Sequence, residues 1–121
     1  MTEYLRTLDQ TALDRTEAGV RFTQQLLATN DGRPLRNITV MKSPPGDKSR
    51  RGVHTHDFDQ LYYILRGTLS LDIDGQPVHA GAGSLVVIPA GVPHHNWNGG
   101  DEDVVQLLIE SREIAGNTAV S

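Results

Sequence analysis

From Val20 onward, apolar and polar residues alternate with a period of two. Val20, Phe22, Gln24 and Leu26 fall on one side of the alternation and Arg21, Thr23 and Gln25 on the other, the pattern of a strand. Thr29-Asn30-Asp31-Gly32 is a turn signal, and Ile38-Thr39-Val40-Met41 reads as the returning strand. Ser43-Pro44-Pro45-Gly46-Asp47 cannot continue it, because proline lacks the ladder donor. Beyond a basic loop and His54 to Gln60 comes an apolar run, Leu61-Tyr62-Tyr63-Ile64-Leu65, broken at Gly67. Thr68 to Ile73 alternates again, and Asp74-Gly75 is a two-residue hairpin signal. Gly81 and Gly83 punctuate the next turn, and Ser84 to Ile88 is a β-branched strand stopped by Pro89-Ala90-Gly91-Val92-Pro93. His94 to Asn98 leads to Gly99-Gly100-Asp101, Val104 to Ile109 is a last strand, and the tail from Glu110 reads as loose.

Many short strands at regular spacing, with no long amphipathic helix, predict an all-β sandwich or barrel. Residues 1–17 are polar and weakly patterned, and read as an N-terminal arm, either a short helix or extended. Residues 18–112 form the barrel and 113–121 a C-terminal tail. Residues 61–65 are apolar on both faces, so both faces are expected to be covered. One lines the barrel; the other meets the arm or a second copy of the chain.

Composition narrows the chemistry. The 121 residues make one domain, with a net charge of −4 that points to no nucleic-acid partner and no anionic membrane surface. The absence of cysteine excludes disulfides, thiolate nucleophiles and cysteine-held metals. No apolar run approaches a bilayer span, and Met1 to Arg6 carries no signal-peptide pattern, so a cytoplasmic location is expected.

Any metal must then sit on imidazole, oxygen or amide groups. On strand parity His54, His56, Gln60 and Tyr62 share one face, and His94 follows a Pro-Gly-Pro corner on another segment. Asp57 and Asp59 have the opposite parity and are expected to face outward or shape the loop. His95 should point away from His94, and His79 reads as a surface residue. Lys48, Arg50 and Arg51 stand before the first histidine, as a solvated loop or an attractor for a carboxylate.

The stretch His54-Thr55-His56, Asp57-Phe58-Asp59, Gln60, Leu61 to Arg66, Gly67 resembles the first motif of the cupins. Gly83, Pro89, Gly91, His94 and Asn98 match the second motif position for position. Together with the intervening 68–82 they cover residues 54–98. The resemblance implies a double-stranded β-helix, or jelly-roll β-barrel, holding one divalent ion (Fe, Ni, Zn, Mn or Cu) on His54, His56, Gln60 and His94. It implies a structural role for Asn98, and cupins of this size are often homodimers. Two positions depart from the motif: Lys48 stands where a glycine is usual, and Gln60 where the acid is usual.

A glutamine brings an amide oxygen but no charge, so a bound dication keeps its full charge. That favours a Lewis-acid role on a small oxygenated substrate, in an isomerase, cyclase or lyase reaction. A dioxygenase acting on an enol or catechol-like substrate, and a non-enzymatic small-ligand-binding cupin, are the alternatives. Tyr62 follows Gln60 on the same face, as a proton shuttle with a phenol acidified by the ion or as a core tyrosine.

Overall fold

A computed structural model describes residues 4–29, 33–47 and 52–112. The turn at 30–32, the basic loop at 48–51 and the tail from 113 lie outside the described residues.

The chain begins with a short helix, α1 (Gln10–Arg15), whose N-terminus is capped by the Asp9 carboxylate accepting from Ala12 N at 3.0 Å. Eight strands follow: β1 (Phe22–Ala28), β2 (Leu35–Ser43), β3 (Asp59–Arg66), β4 (Thr68–Ile73), β5 (Gln76–Gly81), β6 (Leu85–Ile88), β7 (His94–Trp97) and β8 (Val104–Ser111). They form two antiparallel sheets, one ordered β1-β2-β8-β3-β6 and one ordered β5-β4-β7. This is the all-β arrangement expected from the alternation.

Strand alternation decides what each face carries. Tyr62, Ile64, Leu69, Leu71, Ala80, Val86, Ile88 and Val104 form the core enclosed between the sheets. Burying an aliphatic side chain of this size contributes roughly 1.5–3 kcal/mol. Toward the β8–β2 side the inward residues turn polar, with Gln106, Thr39, Asn37 and Glu110.

The outer face of the larger sheet carries a second, smaller core. Leu13 of α1 packs there on Val40 and Val105, flanked by Leu8, Phe22, Leu26 and Leu107. Lys42, 2 % exposed, staples the arm down: its Nζ donates to the carbonyls of Thr16 (3.0 Å) and Glu17 (3.3 Å) and pairs with Asp103 (3.7 Å). The arm covers only part of this face. Leu61 is buried, but Tyr63 and Leu65 on the same face of β3, and Leu85 on the edge strand β6, stay exposed.

Two turns set the strand connections. Asp74 and Gly75 both have positive φ (54° and 78°), as a tight right-twisted hairpin between β4 and β5 requires. Gly67 joins β3 to β4 at φ 81°, and a Cβ there would lie 2.5 Å from the Asp103 carbonyl oxygen. The first motif's glycine is thus demanded twice, by its dihedral angle and by its neighbour.

Candidate metal centre

His54, His56 and His94 converge at one end of the barrel, with one imidazole nitrogen from each lying within 4.8 Å of the others. The cause is not the alternation of β3, which begins only at Asp59. His54 lies in the loop before it and forms an isolated antiparallel bridge to His94, with main-chain N–H groups donating both ways at 3.0 Å. His56 is held by its carbonyl, which accepts from Gly91 N at 2.8 Å. The Pro-rich corner before β7 therefore grips the loop carrying the other two histidines. The ring centroids of His54 lie 4.7 Å from those of His56 and 4.5 Å from those of His94. His94 is buried; His54 and His56 are half-buried and form the solvent side of the cluster.

Main-chain carbonyls select the tautomers. His94 Nδ1 lies 2.9 Å from the carbonyl of Val92, and His54 Nδ1 lies 2.7 Å from the carbonyl of Gly52. A carbonyl can only accept, so each Nδ1 carries the proton and each Nε2 of the neutral ring presents a lone pair. Burial pushes the pKa of His94 down; the Val92 carbonyl opposes this, and the neighbouring His54 and His95 add to it. The neutral, ligating form is the favoured one.

Gln60 completes the arrangement from β3. Its Nε2 donates to Glu110 Oε2 at 3.0 Å, so its Oε1 faces His94 Nε2, at 3.1 Å. A lone pair opposite a lone pair is unfavourable unless a cation or a proton lies between them. Three neutral imidazoles and one amide oxygen are a donor set that suits a divalent transition ion or zinc. The residues present fit such an ion, and the opposed acceptors are where it would relieve a cost.

Tyr62 lies two residues along β3 on the same inward face and is buried. Its hydroxyl oxygen accepts from Asn96 Nδ2 at 3.2 Å. Burial pushes its pKa up to about 12, the Glu110 charge pushes the same way, and the Asn96 bond and Arg21 oppose. In the protein without an ion the phenol is therefore harder to ionise than usual, opposite to the acidification expected from an ion.

The remaining motif residues shape the frame. Asp59 is buried rather than outward, and its Oδ1 accepts from Ala90 N at 2.9 Å, tying β3 to the Pro-rich corner. Asp57 is exposed and pairs with Arg36 at 3.7 Å. Asn98 is buried, donates to the carbonyls of Ser43 and Glu102 and accepts from Gly100 N. His95 stacks on Trp97, and His79 lies 3.2 Å from Ser70 Oγ; neither joins the cluster.

Two residues at the site escape the sequence reading. Phe58 stacks on His56 (centroids 4.6 Å, planes 11° apart), with the Arg36 guanidinium 4.4 Å from the Phe58 ring centroid. Glu110 touches Gln60 and belongs to β8, not to a loose tail. Ladder partners on both sides, Asn37 on β2 and Gln60 on β3, extend the strand through it. The available signal was the parity of Val104, Gln106 and Leu108, which Glu110 continues.

A family model described as Cupin domain matches residues 39–110, more than half of the chain, and the chain belongs to that family. Solved structures agree. A predicted oxalate decarboxylase from Thermotoga maritima is 28% identical with a TM-score of 0.68, over 75% of this chain and 79% of that one. A conserved protein of unknown function from Streptococcus pyogenes is 26% identical with a TM-score of 0.68, over 82% and 80%. An RmlC-like cupin family protein with a double-stranded β-helix fold from Methanocaldococcus jannaschii is 17% identical with a TM-score of 0.71, over 92% of each chain, and bears on the fold alone. No curated protein matched. Among the described residues no helix is long and apolar enough to cross a membrane.

Proposed function

We propose that this cupin is a metal-dependent enzyme holding one divalent ion on His54, His56, His94 and Gln60, and acting on a small oxygenated substrate in an isomerase, cyclase or lyase reaction. The observation that carries the reading is the convergence of three imidazole nitrogens within 4.8 Å at one end of the barrel. When bound, such an ion supplies Lewis-acid polarisation of a substrate oxygen.

The protein's own groups divide the remaining work. The carbonyls of Gly52 and Val92 hold the Nδ1 protons of His54 and His94, so both rings keep Nε2 for ligation. The fully buried Ile64, Leu69, Leu71 and Ile88 give the interior between the sheets an apolar part in which a substrate oxygen would be shielded from water. Tyr62 shares the inward face of Gln60, with Asn96 donating to its Oη, and is the group placed to move a proton to or from substrate. Similarity to a predicted oxalate decarboxylase supports a small, oxygen-rich substrate. The same reading includes a cytoplasmic location and a second copy of the chain on the exposed Tyr63, Leu65 and Leu85.

Elemental analysis of the purified protein and reconstitution with Fe, Ni, Zn, Mn and Cu test the metal. Stoichiometric uptake of one ion is expected, and its loss in His54→Ala and His94→Ala. No uptake on reconstitution sinks the reading. Oxygen consumption in place of redox-neutral turnover would replace the lyase or isomerase assignment with a dioxygenase.

A further inference from the structure

Register pairs Gln60 of β3 directly with Glu110 of β8, and both side chains point inward. Glu110 is also an anchor. Its Oε1 accepts from Asn37 Nδ2 at 2.7 Å, while its Oε2 accepts from Gln60 Nε2 at 3.0 Å. Asn37 cannot turn over, because its Oδ1 already accepts from Gln25 Nε2 and Thr39 Oγ1, both at 2.8 Å. The hydrogen bonds therefore run in one direction: Gln25 and Thr39 donate to Asn37, Asn37 donates to Glu110, and Gln60 donates to Glu110 from the other side. A carboxylate only accepts, so Gln60 must offer it Nε2. The amide oxygen is thereby left facing His94 Nε2, at 3.1 Å.

We propose that Glu110 is the positioning residue of the metal centre. It sets the orientation of the Gln60 amide so that oxygen faces the histidines, and it supplies from β8 the negative charge that Gln60 does not bring. The inference rests on the metal reading above and adds to it a residue outside both cupin motifs. It also explains how a glutamine replaces an acid without leaving the cluster's charge uncompensated. The carboxylate has moved one hydrogen bond away, where it orients a ligand rather than acting as one.

The test exchanges the pair. In Q60E two carboxylates occupy positions 3.0 Å apart, with no donor between them. In Q60E/E110Q both hydrogen bonds can be rebuilt: the bond between positions 60 and 110 reverses, the amide on β8 donating to the carboxylate on β3, while the amide oxygen on β8 still accepts from Asn37. Binding of Co(II) and Zn(II) to the full chain is measured by chelator competition, with the Co(II) visible spectrum as a report on ligand geometry. Thermal melting without metal reports on folding. E110Q is expected to weaken both ions by roughly 10–100-fold and to change the Co(II) spectrum. Q60E is expected to lower the melting temperature of the metal-free chain, and the exchange to restore it.

Wild-type affinity and an unchanged Co(II) spectrum in E110Q would overturn the proposal. So would an exchange that melts no higher than Q60E without metal. Failure of the underlying reading shows differently: the wild-type chain itself takes up neither ion.

Discussion

The amide oxygen of Gln60 and the Nε2 of His94 face each other at 3.1 Å, two acceptors whose own donors are committed elsewhere. In the proposed centre a proton and a metal ion would compete for the gap between them. Burial holds the pKa of His94 below the ordinary imidazole value of about 6.5. The unfolded chain therefore takes up its proton first as pH falls. This contribution to stability is complete above the unfolded pKa and is lost as pH drops through it toward the folded value. The melting temperature of the metal-free protein should fall between pH 7.5 and pH 5, more steeply than in His94→Gln. Equal slopes in the two proteins would show that His94 does not carry the dependence. Metal affinity should fall over the same range.

Tyr62→Phe removes the phenol while leaving the ring in the core. Metal uptake should stay within about twofold of wild type, and turnover should drop by about 10²–10⁴-fold, the usual contribution of a general acid. Turnover within a few-fold of wild type would make Tyr62 a core residue.

Gly67→Ala and Gly75→Ala separate two costs. Both place a side chain at positive φ, but only at position 67 does the new Cβ meet a backbone oxygen, at 2.5 Å. Urea unfolding should show a loss of about 1 kcal/mol for Gly75→Ala and at least about 3 kcal/mol for Gly67→Ala. Similar losses would mean that the Asp103 segment yields at little cost.

Lys42→Met keeps the bulk of the side chain and removes the ammonium. The carbonyls of Thr16 and Glu17 lose their donor and Asp103 its partner, a cost of about 2 kcal/mol. Limited proteolysis should then cut the segment before β1 earlier than in wild type, while the barrel persists. An unchanged cleavage pattern would show that the Leu13 contacts alone hold the arm.

Light scattering should give the mass of a dimer. Leu85→Lys should shift it toward the monomer, because Leu85 on the edge strand stands with Tyr63 and Leu65 outside the arm's cover. A monomer mass across a wide concentration range would exclude the second copy.

The larger features were legible because they follow from period-two alternation and turn chemistry. Thr68 to Ile73, the Asp74-Gly75 hairpin and Ser84 to Ile88 fall where the pattern puts them. The strand after that hairpin, β5, is harder to name, because Pro77 interrupts its donors. Its place at the edge of the three-stranded sheet leaves one side without a ladder, where a missing donor is tolerated. His54, His56, Gln60 and His94 do come together, but strand parity is the wrong cause for two of them. A main-chain bridge and a Pro-rich corner bring in His54 and His56. Glu110 was hidden because its role depends on which strand lies beside β8. That is a long-range fact, and alternation within one segment cannot carry it.

The reciprocal main-chain bonds between His54 and His94 have a consequence for how the proposed centre would acquire an ion. Two of the proposed ligands, from opposite ends of the motif region, are stitched together by backbone, so their approach is secured when the barrel closes. Such a site would behave as a socket rather than a nucleus: cargo could enter, leave or be exchanged for another element without dismantling the chain. The choice of element would then fall to cellular supply and to the side chains around the rim.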